Sequence, residues 1–267
     1  MRFLTLFIIH LQRQLQTEMQ YRTNLVVGLI SQLTFTLLSV AFVGTFLKYG
    51  VSINGWSFWE MVFLFGMGDM TFGLSAIFVF RTFLIFDSRY IIEGQLDQLL
   101  VQPLHPLANL IFRNLDVTNL MVVLKGVLIV CIASGSLSLS WNFLKLTAFL
   151  VLTLGGALMY AGIYVFFCSL GFWWPRRTSF AWPILSLNYL TQYPLSIYPE
   201  GLQFFLSFII PLGFAAFYPA QAFLGIHPGP RGYWIPFFVI PVAAALVWGV
   251  SWTVFRLGLD NYQSSGT

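Results

Sequence analysis

Few side chains in this sequence could do chemistry, and their spacing decides which chemistries are open. A nucleotide-hydrolysing P-loop needs a glycine-rich turn ending in Gly-Lys, so that backbone amides cradle phosphates and the lysine reaches them. The lysines are Lys48, Lys125 and Lys145, and none follows a glycine. Hydrolysis within a membrane needs an activated nucleophile beside a base. His10, His105 and His227 fall at the edges of apolar stretches, and no Gly-x-Ser-x-Gly motif occurs. Cys131 and Cys168 lie inside apolar stretches with neither a Cys-x-x-Cys spacing nor nearby ligand residues, so they read as small packing residues. Neither a catalytic set nor a metal-ligand set is expected.

Two ionisable residues do fall inside apolar stretches. Asp69 stands twelve residues before Arg81, about 18 Å along a helix. Lys125 stands nine residues after Asp116, about 13 Å by the same rise. A charge at such depth is costly, so it faces a bundle interior and finds a partner. Two readings follow: a contact on a translocation path, or a structural pair between neighbouring helices, with Lys125 alternatively snorkelling to the interface.

These residues need apolar elements to hold them, and composition supplies them. Hydrophobic residues make up 58% of the 267 and charged residues 8%, against about 25% charged in an average soluble domain. So few charges cannot cover a soluble surface; lipid must. The formal net charge of +4 does not form a nucleic-acid patch, because the basic residues stand at the ends of apolar stretches. The apolar N-terminus is followed by polar Gln12, Arg13, Gln14 and Gln16 with no small-residue cleavage site, so no signal peptide is expected. Residues 3–22 instead fit an amphipathic helix, with Leu4, Ile8, Leu11, Leu15 and Met19 on one stripe.

Apolar stretches at 24–47, 56–80, 117–134, 141–173, 180–198 and 233–255 read as six spans. Residues 202–225 are equally apolar, but Pro211 and Pro219 would each remove a helical hydrogen bond. Broken backbone at membrane depth survives only under cover of protein or a water-filled cavity, so a re-entrant pair of short helices is expected there. With both termini cytoplasmic, the inside holds Arg2, Arg13, Arg22, Arg81, Arg89, Arg113, Arg176, Arg177 and Arg256, against Lys48, Lys145 and Arg231 outside. Nine against three obeys the positive-inside rule. A full crossing by 202–225 would bring Arg231 inside and put Arg256 outside, leaving nine against three, so the prolines carry the choice. No repeat or linker divides the chain, which reads as one all-α transmembrane domain over residues 1–267.

The polar segment 81–116 lies between the second and third spans, on the cytoplasmic side. Within it Ile91, Ile92, Leu96, Leu99 and Leu100 give a helical apolar stripe stopped by Pro103 and Pro106. A helix lying along the membrane there could take force from a soluble partner, or could simply connect two spans.

Particular motifs go further. Gly94-Gln95-Leu96-Asp97, Leu99-Leu100 and Pro103-Leu104 are similar to a G-x-L-D-x-L-L-x-x-P-L pattern. Tyr193-Pro194, Ile197-Tyr198-Pro199, Phe217-Tyr218-Pro219-Ala220, Leu224-Gly225, Gly258-Leu259, Tyr262 and Ser265-Gly266 follow in order. With these motifs the chain resembles the membrane-domain (permease) subunits of type-2 ATP-binding-cassette exporters, in particular a small six-span subfamily encoded without its ATPase. The resemblance implies that 3–22 is the interface helix and 81–116 holds the coupling helix. It also implies that 202–225 is an extracellular re-entrant pair. Partners would be ATP-binding-cassette ATPase subunits, a second permease chain (identical or homologous) and membrane lipid, with no nucleic acid. This chain would bind no cofactor, ATP and Mg residing in the ATPase. Arg89, Glu93 and Asp97 would be polar contacts to that ATPase, with Leu96 and Leu99 as apolar anchors. The expected setting is a bacterial inner membrane, crossed several times with both termini cytoplasmic. The alternative is a secondary transporter or channel that uses Asp69 and Lys125, for which internal inverted repeats would speak. The cargo is left open: drug, lipid, glycan and peptide all fit.

Overall fold

A computed structural model describes residues 12, 14, 16, 20, 22–48, 55–174, 181–226 and 235–263. Among them the fold is all-α. The expected interface helix 3–22 falls almost wholly outside these residues. So do Arg176, Arg177, His227 and Arg231.

Helix α1 is Arg22–Lys48 and carries the apolar stretch Val26–Ala41. Helix α2 starts at Phe58, where Ser57 and Glu60 form a capping box that satisfies the first free amides. It does not stop at Phe80. It runs to Ile85 and continues as a π-helical stretch over Phe86–Ile92. Gly94 then takes a left-handed conformation, φ 70°, which costs a glycine little and ends the helix. Short helices α3 (Gln95–Leu100) and α4 (Pro106–Arg113) follow. Helix α5 (Leu120–Ser136) is entered through a 3₁₀ turn, and α6 (Phe143–Ser169) leaves through another. Helix α10, Ile235–Asn261, is the last.

Among the described residues, four helical runs are long and apolar enough to cross a membrane: Phe58–Ile92, Val117–Ser136, Phe143–Phe172 and Phe237–Asn261. In the stretch expected as a fifth span, helix α7 covers only Ala181–Leu190 before turns and a 3₁₀ segment at Leu195–Ile197. Pro194 fits the stop, since a proline has no amide to give the carbonyl four residues back, here Leu190, and its ring crowds that carbonyl. The segment 202–225 is broken where Pro211 stands: α8 (Glu200–Phe204) runs through a π-helical stretch to Ile209, and α9 covers Phe217–Leu224. Pro219 behaves differently from expectation. It sits in the first turn of α9, where amides have no helical acceptor in any case, so it removes no bond.

Helix α2 is the centre of the packing, with most of its residues between Met61 and Phe83 buried. It meets α5 backbone to backbone. A Cβ built on Gly66 would stand 2.9 Å from both Val130 Cγ2 and Val130 N, and one on Gly126 would stand 2.7 Å from the Gly66 carbonyl oxygen. Lipid offers helices no hydrophobic drive to associate, so close approach through small residues supplies van der Waals contact instead. Across α2, Phe83 stacks on Tyr164 of α6 with centroids 4.8 Å apart.

Candidate functional site

The glycine contact fixes what stands beside it. Asp69 lies one turn after Gly66 on α2, and Lys125 immediately precedes Gly126 on α5. Bringing those backbones together sets Lys125 Nζ 3.1 Å from Asp69 Oδ2. The ammonium also donates to Thr36 Oγ1 of α1 at 2.9 Å. The Lys125 side chain is only 9% exposed, so its charge is held by these two oxygens and by its position at the edge of a cavity.

That cavity has a volume of about 370 Å³. Helix α1 gives it Gln32, Thr36 and Ser39, spaced by four and three residues and therefore on one face. The end of α7 and the turn after it contribute Asn188, Thr191 and Gln192. Phe65 and Phe72 of α2 supply an apolar wall, and Tyr160 of α6 closes the floor with its hydroxyl 3.1 Å from Thr191 Oγ1. Asn188 Oδ1 is buried with no hydrogen-bond partner. The result is a chamber with polar groups set into a largely apolar lining, bordered by a compensated ion pair. It can hold a hydrogen-bonding solute away from lipid. The sequence reading singled out Asp69 and Lys125, and the structure brings them together. It missed Gln32, Thr36 and Ser39, although their helical spacing within an apolar stretch was a readable signal.

The cytoplasmic segment is arranged differently from the expected single stripe. Gly94 separates Ile91 and Ile92 from Leu96, Leu99 and Leu100, so they do not share a helix. Leu96 and Leu99 are both 0% exposed; they pack into this chain's own core and are not free as anchors for another protein. The apolar side chains that face outward are Ile92, Leu100 and Val101, the last 84% exposed. Arg89 and Glu93 are exposed and bridged by Gln95, which accepts from Arg89 Nε at 2.8 Å and donates to Glu93 Oε2 at 3.3 Å. Asp97 is half-buried beside Tyr262, whose phenol pKa is raised by burial first and then by the Asp97 charge.

The segment is also tied to the spans. Tyr90 Oη accepts from Asn114 Nδ2 at 2.8 Å, and the Asp116 amide donates to the Ile77 carbonyl at 2.9 Å. His105 caps α4 through Nδ1, which accepts from the Leu107 amide, and its ring stacks on Trp252 of α10 at 4.2 Å. Burial, and then the charge of Arg256, lower its pKa. No group of three or more His, Cys, Asp or Glu that could hold a metal occurs among the described residues.

A family model described as ABC-2 family transporter protein matches residues 30–266. No curated protein and no solved structure matches the chain.

Proposed function

The chain belongs to the ABC-2 family of transporter proteins, and from that membership we propose that it is the permease subunit of an ATP-driven exporter. ATP and Mg bind a separate ATP-binding-cassette ATPase, and two permease chains, identical or homologous, enclose the path. In this reading α1 and the region of α7 join the four long helices to make six crossings of a bacterial inner membrane. Both termini are then cytoplasmic, and the broken 202–225 segment re-enters from outside. Closure of the ATPase on ATP shifts the pair between inward- and outward-open populations. The cavity around Asp69 and Lys125 is the part of the path within each chain.

The observation that carries this reading is the mounting of residues 93–116. The segment turns Leu100 and Val101 outward while hydrogen bonds hold it to α2 and a ring stack holds it to α10. A push on those two side chains is therefore delivered to α2, which carries Asp69. Glu93, exposed on the same segment, and Arg89, exposed on the π-helical stretch just before it, add polar contacts. The test is co-purification with the cognate ATPase after Leu100→Asp plus Val101→Asp. Binding should fall while the permease keeps its melting temperature, since both side chains are exposed. Undiminished binding and undiminished ATPase activity of the complex would overturn the assignment.

The ion pair at the cavity edge favours a second reading, an ion-coupled transporter. Transport into vesicles that continues without ATP and responds to an ion gradient would select it.

A further inference from the structure

Charge, hydrogen bonding and shape in the chamber together select a chemical class of cargo. Its lining holds two residues of opposite charge, Asp69 and Lys125, and they neutralise each other at 3.1 Å. A cargo with net charge would leave water for a chamber that has no counter-charge to spare. Desolvating an ion in such a place is costly. A neutral cargo escapes that penalty.

The remaining polar lining is dominated by carboxamides and hydroxyls. Gln32 and Gln192 face the space, and Asn188 Oδ1 is buried without a partner. An orphaned buried acceptor is costly and is relieved by any donor that reaches it. A carboxamide sets an acceptor and two donors side by side. Its natural complement is a pair of neighbouring hydroxyls, each able to donate and accept at one atom. Phe65 and Phe72 line the same space, and their ring faces suit the C–H surface of a saturated ring. The volume of about 370 Å³ lies at the lower end of small-molecule pockets, about 300–1,000 Å³.

We propose that this chamber takes an uncharged, hydroxyl-rich group, a sugar ring or comparable polyol, held by Gln32, Asn188 and Gln192 against the phenylalanine wall. This rests on the reading of the cavity as part of the translocation path. The Asp69–Lys125 pair then acts as a neutral hydrogen-bonding edge and not as a receptor for an ion.

The test uses the full chain assembled with its ATPase in lipid nanodiscs and three amphiphiles that share an octyl tail: octyl glucoside, octyl sulfate and octyltrimethylammonium. Binding is read by calorimetry below the micellar concentration. The glucoside should bind at least about tenfold more tightly than either charged amphiphile. Gln32→Leu plus Asn188→Leu should weaken it at least about tenfold, as loss of two or more hydrogen bonds implies. Gln192→Leu alone, with an unchanged melting temperature, guards against a folding artefact and should also weaken it. Equal or tighter binding of a charged amphiphile that these substitutions weaken would overturn the headgroup assignment and leave the path reading standing. If the substitutions alter neither the binding of any probe nor the ATPase response to it, both readings fall. Failure of all three amphiphiles to bind would also overturn the assignment.

Discussion

Removing both members of the Asp69–Lys125 pair should cost no more than removing one. In Asp69→Asn the Lys125 ammonium keeps Thr36 but loses its carboxylate while remaining 9% exposed. Breaking a buried pair from one side costs about 3–5 kcal/mol. Asp69 borders the cavity and is 20% exposed, so the lower end applies. About 3 kcal/mol is roughly a hundredfold shift in the unfolding equilibrium. Lys125→Met should cost a similar amount, because it strands the carboxylate. The double variant has no uncompensated charge and should be no less stable than either single one, a coupling of about 3 kcal/mol. The assay is sodium dodecyl sulfate titration of the protein in mixed micelles, followed by the emission of its nine tryptophans. Additive losses, with the double variant near twice the single cost, would refute the pairing. ATP-driven transport measured on the double variant then separates a structural pair from a working one: a stable but silent protein marks the pair as part of the path.

Three further outcomes follow from geometry. Gly126→Ala should lower stability by about 2 kcal/mol, since the new methyl meets the Gly66 carbonyl and the Met70 backbone; a melting curve unchanged from the parent would show that the helices can separate freely. Gly94→Ala forces a β-carbon into φ 70° at about 1–2 kcal/mol, and should loosen α3 in hydrogen exchange while leaving α6 protected. His105 is favoured neutral in the fold, its pKa being lowered by burial and Arg256. Its contribution is intact above the ordinary histidine value of about 6.5 and is lost as the pH falls through that value toward the lower folded one. The melting temperature should therefore drop between about pH 8 and pH 5, and His105→Phe, which keeps a ring against Trp252, should flatten that drop.

Composition was enough to read an all-helical membrane chain, because lipid leaves backbone polar groups few other ways to be satisfied. The depth of Asp69 and Lys125 was likewise legible, since each is a lone charge in an apolar run. Their partnership was not; it depends on the register in which Gly66 meets Gly126, a tertiary fact. The same limit misplaced Leu96 and Leu99. Helical spacing shows that apolar residues share a face but not what covers the face, and here the cover is the chain itself. Pro211 was read correctly as a break and Pro219 was not, because the effect of a proline depends on where the helix begins.

The backbone contact between Gly66 and Gly126 has a mechanical consequence. Two helices packed so closely that a β-carbon on either glycine would meet the other backbone have little soft layer to shear, so α2 and α5 should travel together. Any opening of the chamber must then occur at its other wall, where α1 reaches the close-packed pair through the Thr36 hydroxyl and the turn after α7 reaches it through Tyr193 against Phe65. The seam of movement would run through the chamber itself. The Thr36 bond to Lys125 crosses that seam, a latch made of one proton donor and one oxygen.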